Sequence, residues 1–370
     1  MKKIIYLDNA ATTLCYKEVV KAMNEYHVEK YGNASSSHSL GEQAREAINC
    51  AKKVIAKEIN CKPWEIIFTS GATESNNLAL RGVTLANPTK NKIIVSRIEH
   101  SSVYETAMQL KKEGYEICEI PVDKSGFVDL VRLENEIDKN TLLVSIIHGN
   151  NEIGVLQDIS AVGKICKSRE VLFHTDAVQS FCREKIDVQK MKINLLSASG
   201  HKIGGPKGIG FLYLRDDIEI KPIFLGGGQE AGLRAGTENV PAIVGFEKAV
   251  EISKKINQDK IRKMREYFIS ELEKIGGNIN GDKKKRLANN INVSFAGKDG
   301  EIIVLALSDM GIMCSTKSAC LSNQKKENRV LKAIGLSKSD AGGTVRFSLN
   351  EKIGKKEINI VIKELRKFVG

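Results

Sequence analysis

Short apolar runs alternate along the first half of the chain with segments whose apolar residues recur at helical spacing. Runs rich in Ile, Leu and Val lie at 92–96 and 141–148, and the segments 170–180 and 193–205 continue the series. Such alternation is typical of a mostly parallel sheet that helices cover on both faces. Polar residues and glycines follow the strands, where open α/β sheets bind their ligands. The pattern therefore predicts the α/β fold class.

The pattern changes in the second half of the chain. Residues 238 to about 275 show the spacing of one long amphipathic helix, which could lead from one domain into another. Short strands and helices then mix in the α+β manner. Because 370 residues exceed what a single compact core usually holds, we predict a large domain of residues 13–257. Residues 1–12 and 258–370 would form a smaller α+β domain.

Composition excludes several classes of protein. Hydrophobic residues make up 42% of the chain and charged residues 28%, as in globular proteins. No apolar run approaches the roughly 18 residues of a membrane span, and the N-terminus lacks a complete signal-peptide core. We therefore expect a cytoplasmic protein without membrane contact. The net charge of +12 permits attraction to RNA, but the lysines are dispersed and aromatic residues are few. Direct nucleic-acid binding is not expected.

The eight cysteines show no CxxC pair and no zinc-ligand spacing with histidine. We therefore expect free thiols in a reducing compartment and no intrinsic metal site. Cys50, Cys118 and Cys166 lie beside apolar or helical residues, which favours buried, inert thiols. Cys320, in the stretch STKSACLS, has no hydrophobic periodicity around it.

The most informative local motif is SASGHKIGGPKGIG, which starts at Ser197 and contains Lys202. Glycines leave the backbone around Lys202 uncrowded, and a predicted strand precedes it. A lysine in this setting can form a Schiff base with a carbonyl cofactor if burial or a nearby charge lowers its pKa. The alternative is a tight glycine turn with an exposed lysine.

Asp176, in HTDAVQS, is expected at the end of the preceding strand. A pyridine cofactor needs a carboxylate at its ring nitrogen to retain the proton that makes the ring an electron sink. Asp176 has the right chemistry in the right position for this function. The alternative is an ordinary N-cap of the next helix.

The stretch FTSGATESNNLAL predicts a strand, a loop of small residues and a helix. The N–H groups of Gly71, Ala72 and Thr73 at the helix start would bind a phosphate. Ordinary capping by Ser70 or Thr73 is the alternative. Ser199 and His201 would supply further donors, and these groups together predict a phosphate site.

His100 follows the strand at 92–96, again at the ligand edge of the sheet. Its imidazole could stack on an aromatic ring or transfer protons near neutral pH, or it could be structural. Asn151 and Gln179 are uncharged donors that could bind a ring hydroxyl.

These motifs resemble those of the pyridoxal-phosphate-dependent cysteine desulfurases of the NifS and IscS type. The resemblance extends almost from end to end. The ordered motifs are YLDNAATT, SGATESNN, IEHSSV, NNEIG, HTDAVQ, SGHKIGGPKGIG, GGGQEAGLRAGTENVP, SAC and VRFSL. It implies a fold-type I transferase with a seven-stranded sheet, pyridoxal 5'-phosphate as cofactor, and a homodimer with active sites at the subunit interface.

The resemblance assigns roles to individual residues. Lys202 would form the Schiff base, Asp176 would bind the pyridine nitrogen, and His100 would stack on the ring and act in catalysis. The phosphate would be held by Ala72, Thr73, Ser199, Gly200 and His201. The ring hydroxyl would contact Gln179 and Asn151. Thr237 would reach the cofactor phosphate of the other subunit, and Arg346, together with Asn151, would bind the substrate, its guanidinium clamping the carboxylate.

Cys320 corresponds to the catalytic cysteine of the family. The resemblance implies that L-cysteine is converted to L-alanine while its sulfur becomes a persulfide on Cys320. An acceptor such as an iron–sulfur scaffold or a tRNA-thiolation enzyme would then take the sulfur, and Cys320 could also contact a partner's iron–sulfur cluster. Lys317 replaces a common glycine, so its charge could lower the pKa of the thiol or its side chain could stiffen the segment. Cys314 has apolar neighbours and is expected to be buried.

Two other functions remain compatible with parts of the sequence. A different pyridoxal-phosphate enzyme of the same fold, such as an aminotransferase or selenocysteine lyase, would use Lys202 and Asp176 but would not need Cys320. A basic RNA-binding or adaptor protein that has lost its chemistry would need none of these residues.

Overall fold

The fold is described here from a computed structural model, which covers residues 4–316 and 328–369. Lys317 and Cys320 lie outside these residues. The strands of the described residues are β1 (Ile5–Tyr6), β2 (Ile66–Thr69), β3 (Lys92–Ser96), β4 (Glu116–Ile120), β5 (Thr141–Ser145), β6 (Leu172–Asp176), β7 (Leu195–Ser199), β8 (Gly210–Leu214), β9 (Gly277–Ile279), β10 (Asn290–Phe295), β11 (Ile312–Met313) and β12 (Thr344–Ser348).

Helices lie between most of these strands. They are α1 (Lys17–Val28), α2 (Ser39–Ile59), α3 (Ala72–Ala86), α4 (Ser101–Lys112), α5 (Leu130–Glu136), α6 (Ile159–Ser168), α7 (Val240–Ser253), α8 (Gln258–Glu273), α9 (Gly300–Asp309), α10 (Arg329–Ala333), α11 (Lys338–Gly342) and α12 (Lys355–Val369). Among the described residues, none of the helices combines the length and the apolar character that crossing a membrane requires.

A seven-stranded sheet forms the centre of the larger part of the molecule. Its order is β2-β8-β7-β6-β5-β3-β4. Only β8 runs antiparallel to its neighbours, and all other pairs are parallel. The predicted α/β class with a mostly parallel seven-stranded sheet is therefore confirmed. The strands predicted within 92–96, 141–148, 170–180 and 193–205 correspond to β3, β5, β6 and β7.

Alternate residues of each central strand enter two different cores. In β3, Ile93 and Val95 belong to the core on one face, whereas Ile94 belongs to the core on the other. The same alternation separates Ile67 from Phe68 in β2. Because successive strand residues point to opposite faces and helices cover both, the strands have continuous apolar runs.

A separate core belongs to the smaller part of the molecule. There β12, β10 and β9 form an antiparallel sheet, and β1 pairs in parallel with β11. Ile5 and Leu7 share this core with residues between Ile261 and Leu365. The beginning of the chain thus packs with its C-terminal third. The division into two domains, with boundaries at residues 12 and 257, stays a prediction.

The single long helix predicted over 238–275 is wrong. The structure has α7 and α8, which are separated at residues 254–257. Asn257 has an extended backbone, and its side-chain oxygen accepts a hydrogen bond from Lys260 N at 3.0 Å. The apolar periodicity continues because both helices pack on cores. Asparagine before a helical segment is an N-cap signal that periodicity alone does not detect.

The cysteine predictions had mixed outcomes. Cys166 is buried and Cys314 is buried, as expected, and Cys118 is half-buried. The prediction for Cys50 is wrong, because this residue is exposed. In α2 the buried stripe includes Ile48 and Ala51, and Cys50 lies beside that stripe on the solvent face.

Replacing the α8 cap should destabilise the fold by a predictable amount. Asn257→Ala removes the acceptor for Lys260 N, so we expect the free energy of unfolding to fall by about 1 kcal/mol. Asn257→Asp keeps an acceptor and should lie within a few tenths of a kcal/mol of the unchanged protein. Urea unfolding of the two variants measures the difference. Equal loss in both would show that the cap is not responsible.

Candidate active site

A cavity of about 430 Å³ opens at the carboxyl ends of β3, β5, β6 and β7. Ten of the predicted site residues line it: Ala72, Thr73, His100, Asn151, Asp176, Gln179, Ser199, His201, Lys202 and Arg346. Because parallel strands end at one edge of the sheet, residues distant in sequence meet there. The sequence therefore predicted half of the residues that line this cavity.

Lys202 ends a short 3₁₀ turn that directly follows β7. Its Nζ donates hydrogen bonds to the carbonyl oxygens of Ala10 at 2.6 Å and Ala11 at 2.7 Å. Its own carbonyl accepts a hydrogen bond from Arg183 at 2.5 Å. The amine therefore lies in the cavity wall, which argues against the alternative of a lysine displayed on a surface turn.

Asp176 ends β6 and is 3% exposed. One carboxylate oxygen accepts from Asn76 Nδ2 at 2.9 Å, and the other accepts from Val178 N at 3.0 Å. The second bond closes a turn after β6. The structure has no helix between β6 and β7, so Asp176 is not the helix N-cap considered as the alternative, and it lines the cavity. Sequence reasoning missed Asn76, which lies one turn inside α3. A buried asparagine within a helix is the signal that could have identified it.

The start of α3 forms one end of the cavity. Gly71 caps the helix without any side-chain hydrogen bond, and a Cβ at Gly71 would meet nothing within 4 Å. Its φ of 154° and ψ of 174° are open to glycine. The first N–H groups of a helix have no partner within the helix and carry partial positive charge. Because Ser70 and Thr73 do not cap the helix, the observed geometry suits an anion.

Glu74, in the first turn of α3, holds the loop before the helix through two hydrogen bonds. Glu74 accepts from Ser70 N at 2.8 Å and from Arg234 Nε at 3.0 Å. These hydrogen bonds and the Arg234 charge, working against burial, keep the pKa of the Glu74 carboxyl below its usual range. Glu74 stays ionised, and the loop is fixed from the side of the helix.

The segment around Lys202 supplies further polar groups. Ser199 and His201 line the cavity. Burial, with the nearby Lys202 and Lys207 charges, lowers the pKa of His201 to about 4, so its imidazole is neutral near pH 7. Gly200 does not line the cavity, because it is buried and donates its N–H to Ile209 O at 3.1 Å. Lys207 lines the cavity but was not identified from the sequence.

His100 caps α4 and lines the cavity. Its Nδ1 accepts from Ser102 N at 3.2 Å and lies 2.8 Å from Ser102 Oγ. Burial lowers the pKa of His100, although attraction to Asp176 opposes that change. Because Nδ1 is an acceptor, the neutral ring carries its proton on Nε2. Asn76 Nδ2 donates to Ser102 Oγ at 2.8 Å, so hydrogen bonds connect His100 to Asp176.

Arg346, in β12, brings the smaller part of the molecule to the cavity. It is 1% exposed, and its guanidinium donates to Asp8 Oδ1 and to Asn151 O, each at 2.9 Å. Its Nε is buried, and none of the described residues accepts a hydrogen bond from it. Asp8 belongs to the YLDNAATT motif but was not identified as a site residue. Gln179 Nε2 donates to Ala10 O at 2.9 Å, the same carbonyl that Lys202 contacts.

Besides Gly200, one predicted site residue within the described part of the chain does not line the cavity. Thr237 is exposed and does not line the cavity. Cys320 lies outside the described residues.

Glu99, beside His100, is a buried acid that sequence reasoning missed. It is 1% exposed, contacts Ser96 Oγ, and accepts from Ile147 N at 2.8 Å. Burial raises its pKa to about 8, while those hydrogen bonds partly oppose the change. In an unfolded chain the pKa would be close to 4.3. The folded protein therefore binds this proton more tightly. The associated stability is fully present below about pH 4.3 and is lost as pH rises from there through about 8.

Glu99→Gln should reduce the loss of stability at alkaline pH. Between pH 6 and pH 9 the unchanged protein should lose about 2 kcal/mol more unfolding free energy than Glu99→Gln, because only the carboxyl must ionise while buried. Urea unfolding at the two pH values gives this difference. Glu134→Gln, at a half-exposed position, is the matched control and should show almost none. Equal pH dependence in Glu99→Gln and the unchanged protein would contradict the assignment.

Comparison with known proteins places this geometry in a family. The class-V aminotransferase family model matches residues 5–361. The cysteine desulfurase IscS of Dictyoglomus turgidum is 45% identical over 100% of this chain and 95% of its own length. That of Methanosarcina thermophila is 43% identical over 99% of this chain and 92% of its own length.

Solved structures agree with this result. A NifS-like protein is 36% identical, with a TM-score of 0.93 and 99% of each chain covered. A structure described as SspA in complex with cysteine is 37% identical, with a TM-score of 0.85 over 94% of this chain and 99% of that chain. The chain therefore belongs to the class-V aminotransferase family, among the cysteine desulfurases of the NifS and IscS type.

Proposed function

We propose that this protein is a pyridoxal-phosphate-dependent cysteine desulfurase that converts L-cysteine to L-alanine and retains the sulfur as a persulfide on Cys320. The observation that carries the proposal is the composition of one cavity wall. The Lys202 amine, the Asp176 carboxylate and the start of α3 all line it. Full-length relatives named as cysteine desulfurases support the same reaction.

These groups fit the three reactive parts of pyridoxal 5'-phosphate. The Lys202 amine suits the aldehyde, the Asp176 carboxylate suits the protonated ring nitrogen, and the N–H groups of Ala72 and Thr73 suit the phosphate. When bound, the cofactor supplies an electron sink that acidifies the α-carbon of an amino acid and weakens its bond to sulfur. Gln179 and Asn151 would donate to the ring hydroxyl.

The protein's own groups would manage charge and protons. Asn76 and Val178 N–H hold the Asp176 carboxylate in one orientation, so it would keep a proton on the ring nitrogen. Lys202 would take the proton from the substrate α-carbon as an amine base. His100 would stack on the ring, with its own proton on Nε2.

Arg346 would bind the substrate carboxylate. A guanidinium can donate two parallel hydrogen bonds to a carboxylate. Within the described part of the chain, nothing accepts from the buried Nε of Arg346. In the observed geometry Asp8 already provides one carboxylate oxygen at 2.9 Å. The substrate would therefore compete with or share this contact, and Asp8 keeps the guanidinium at the cavity before substrate binds.

The chain leads to Cys320 from a residue that is paired with cavity-lining Arg346. Ser315 and Arg346 exchange two backbone hydrogen bonds, with N···O distances of 3.2 and 2.6 Å. Cys320 is the fourth residue after Thr316, and four residues span at most about 14 Å. This tether supports attack of the Cys320 thiolate on the sulfur of bound cysteine.

The transfer balances without an outside oxidant. The Cys320 thiolate forms a bond to the substrate sulfur, and the carbon–sulfur bond breaks. Its electron pair remains on the carbon that becomes the methyl group of alanine after protonation. Cys320 is thereby converted from a thiol to a persulfide, and the acceptor later receives the terminal sulfur.

We propose a cytoplasmic homodimer in which exposed Thr237 contacts the cofactor phosphate of the other subunit. The sulfur acceptor would be an iron–sulfur scaffold or a tRNA- or cofactor-thiolation enzyme.

Cys320→Ala distinguishes desulfuration from other reactions of the same fold. We expect alanine and sulfide formation from L-cysteine to fall at least 100-fold, because the nucleophile is absent. The visible absorption of the bound cofactor should remain, because Lys202 is unchanged. The matched control Cys50→Ala, at an exposed cysteine, should keep full activity. Full alanine production by Cys320→Ala would contradict the proposal and favour another pyridoxal-phosphate reaction.

Arg346→Lys tests recognition of the substrate carboxylate. Lysine keeps the charge but loses the planar pair of donors, so KM for L-cysteine should rise about 10- to 100-fold. Cofactor absorption should stay unchanged. Steady-state kinetics measure KM, and Arg366→Lys, on the exposed face of α12, is the control. An unchanged KM in Arg346→Lys would rule out this role.

A further inference from the structure

The first described residues after the segment that contains Cys320 are bonded to the cavity region. Asn328 Nδ2 donates a hydrogen bond to Glu152 Oε2, and both residues are buried. Asn328 Oδ1 accepts from Leu331 N at 3.0 Å and so begins α10. Glu152 directly follows Asn151, which lines the cavity. Asn328 therefore joins α10 to the turn after β5.

Arg329 makes the corresponding contact with the turn after β3. Its two Nη groups donate to the carbonyl oxygens of Arg97 and Glu99. The guanidinium also lies over the Tyr104 ring, 3.9 Å from the ring centroid, where cation–π attraction adds to the hydrogen bonds. Glu99 directly precedes His100. The Arg329 guanidinium thus contacts both the backbone just before His100 and, through Tyr104, the helix α4.

Apolar packing supports both polar contacts. Val330 and Leu331 share a buried cluster with Ile98, Ile147 and Ile153, which belong to the same two turns. This short helix therefore rests on both turns.

The two turns are also bonded to each other. Asn150 Nδ2 donates to Ile98 O at 2.8 Å, and Ile147 N donates to Glu99 at 2.8 Å. The two turns are therefore held to each other by hydrogen bonds that do not involve α10, and α10 rests on this unit.

We infer that Asn328 and Arg329 are positioning residues for sulfur transfer. They fix the chain downstream of Cys320 to the backbone that presents His100 and Asn151. Upstream, Ser315 is paired with Arg346. The described chain on each side of Cys320 is thus bonded to a cavity-lining residue or its direct neighbour. This inference rests on the proposed desulfurase function and adds two residues that do not line the cavity.

Loss of the anchor at Asn328 and Arg329 should affect the step that needs Cys320 and spare the steps that do not. Asn328 is eight residues after Cys320, a span of at most about 28 Å. If the chain at Asn328 were released from the two turns, the Cys320 thiol could occupy a larger volume. Its effective concentration at the cavity would then fall. Steps that need only Lys202 and Asp176 do not depend on this tether. Loss of the anchor should therefore slow sulfur transfer and leave α-proton removal unaffected.

The test compares two rates in the cofactor-loaded enzyme. Alanine formation from L-cysteine needs Cys320, whereas exchange of the α-hydrogen of L-alanine with deuterium oxide needs Lys202 but not Cys320. For Arg329→Ala we expect the first rate to fall about 10- to 100-fold and the second to stay within about twofold. Arg329→Lys keeps the charge over Tyr104 and should restore part of the first rate. Arg132→Ala, on the exposed face of α5, should change neither.

A milder variant keeps the test decisive if Arg329→Ala does not fold. Asn328→Ser can still cap α10 but cannot reach Glu152, so it should show the same selective loss. Parallel loss of both rates, or loss of neither, in a folded variant would overturn the inference. Absence of alanine formation from L-cysteine in the unchanged enzyme would instead overturn the proposed function, so the two failures are distinguishable.

Discussion

The parallel register of β6 and β7 is the constraint on which the candidate site depends. It pairs Asp176 with Ser197, and from there the chain needs only one short turn to reach Lys202. On the other side, antiparallel β8 joins β7 to β2, and Gly210 packs so closely on Gly71 that a Cβ there would lie 2.8 Å from its backbone. Backbone pairing of the strands therefore brings together the Lys202 amine, the Asp176 carboxylate and the start of α3.

The N-terminal segment completes this arrangement and connects the larger part of the molecule to the smaller part. Carbonyls of Ala10 and Ala11 hold the Lys202 amine, and Asp8 holds Arg346. The same segment contributes Leu7 to the smaller core. Residues on either side of Asn9 thus connect the lysine to the arginine, which explains why YLDNAATT carries information about the site although it contains no catalytic side chain.

The sequence predicted those parts of the molecule that depend on local pattern. Apolar runs identified β3, β5, β6 and β7, and glycine and polar residues at their ends identified Lys202, Asp176 and His100. Periodicity could not show the break before Asn257, because both helices bury apolar faces and the cap changes only one hydrogen bond. Sequence neighbours also suggested that Cys50 is buried. This was wrong because residues adjacent in sequence do not lie on the same face of a helix.

Asn76, Glu99 and Asp8 were missed because their roles arise from tertiary contacts. The family resemblance supplied Cys320 and Arg346, which local pattern alone does not distinguish from other cysteines and arginines.

The central claim is that sulfur from L-cysteine becomes bonded to Cys320. The most direct measurement is mass spectrometry of the peptide containing Cys320 after brief incubation of the cofactor-loaded protein with L-cysteine, without added reductant. The account predicts that this peptide gains the mass of one sulfur atom, with one alanine released for each sulfur bound. Alanine release with no sulfur on Cys320, or sulfur found only on another cysteine, would contradict it.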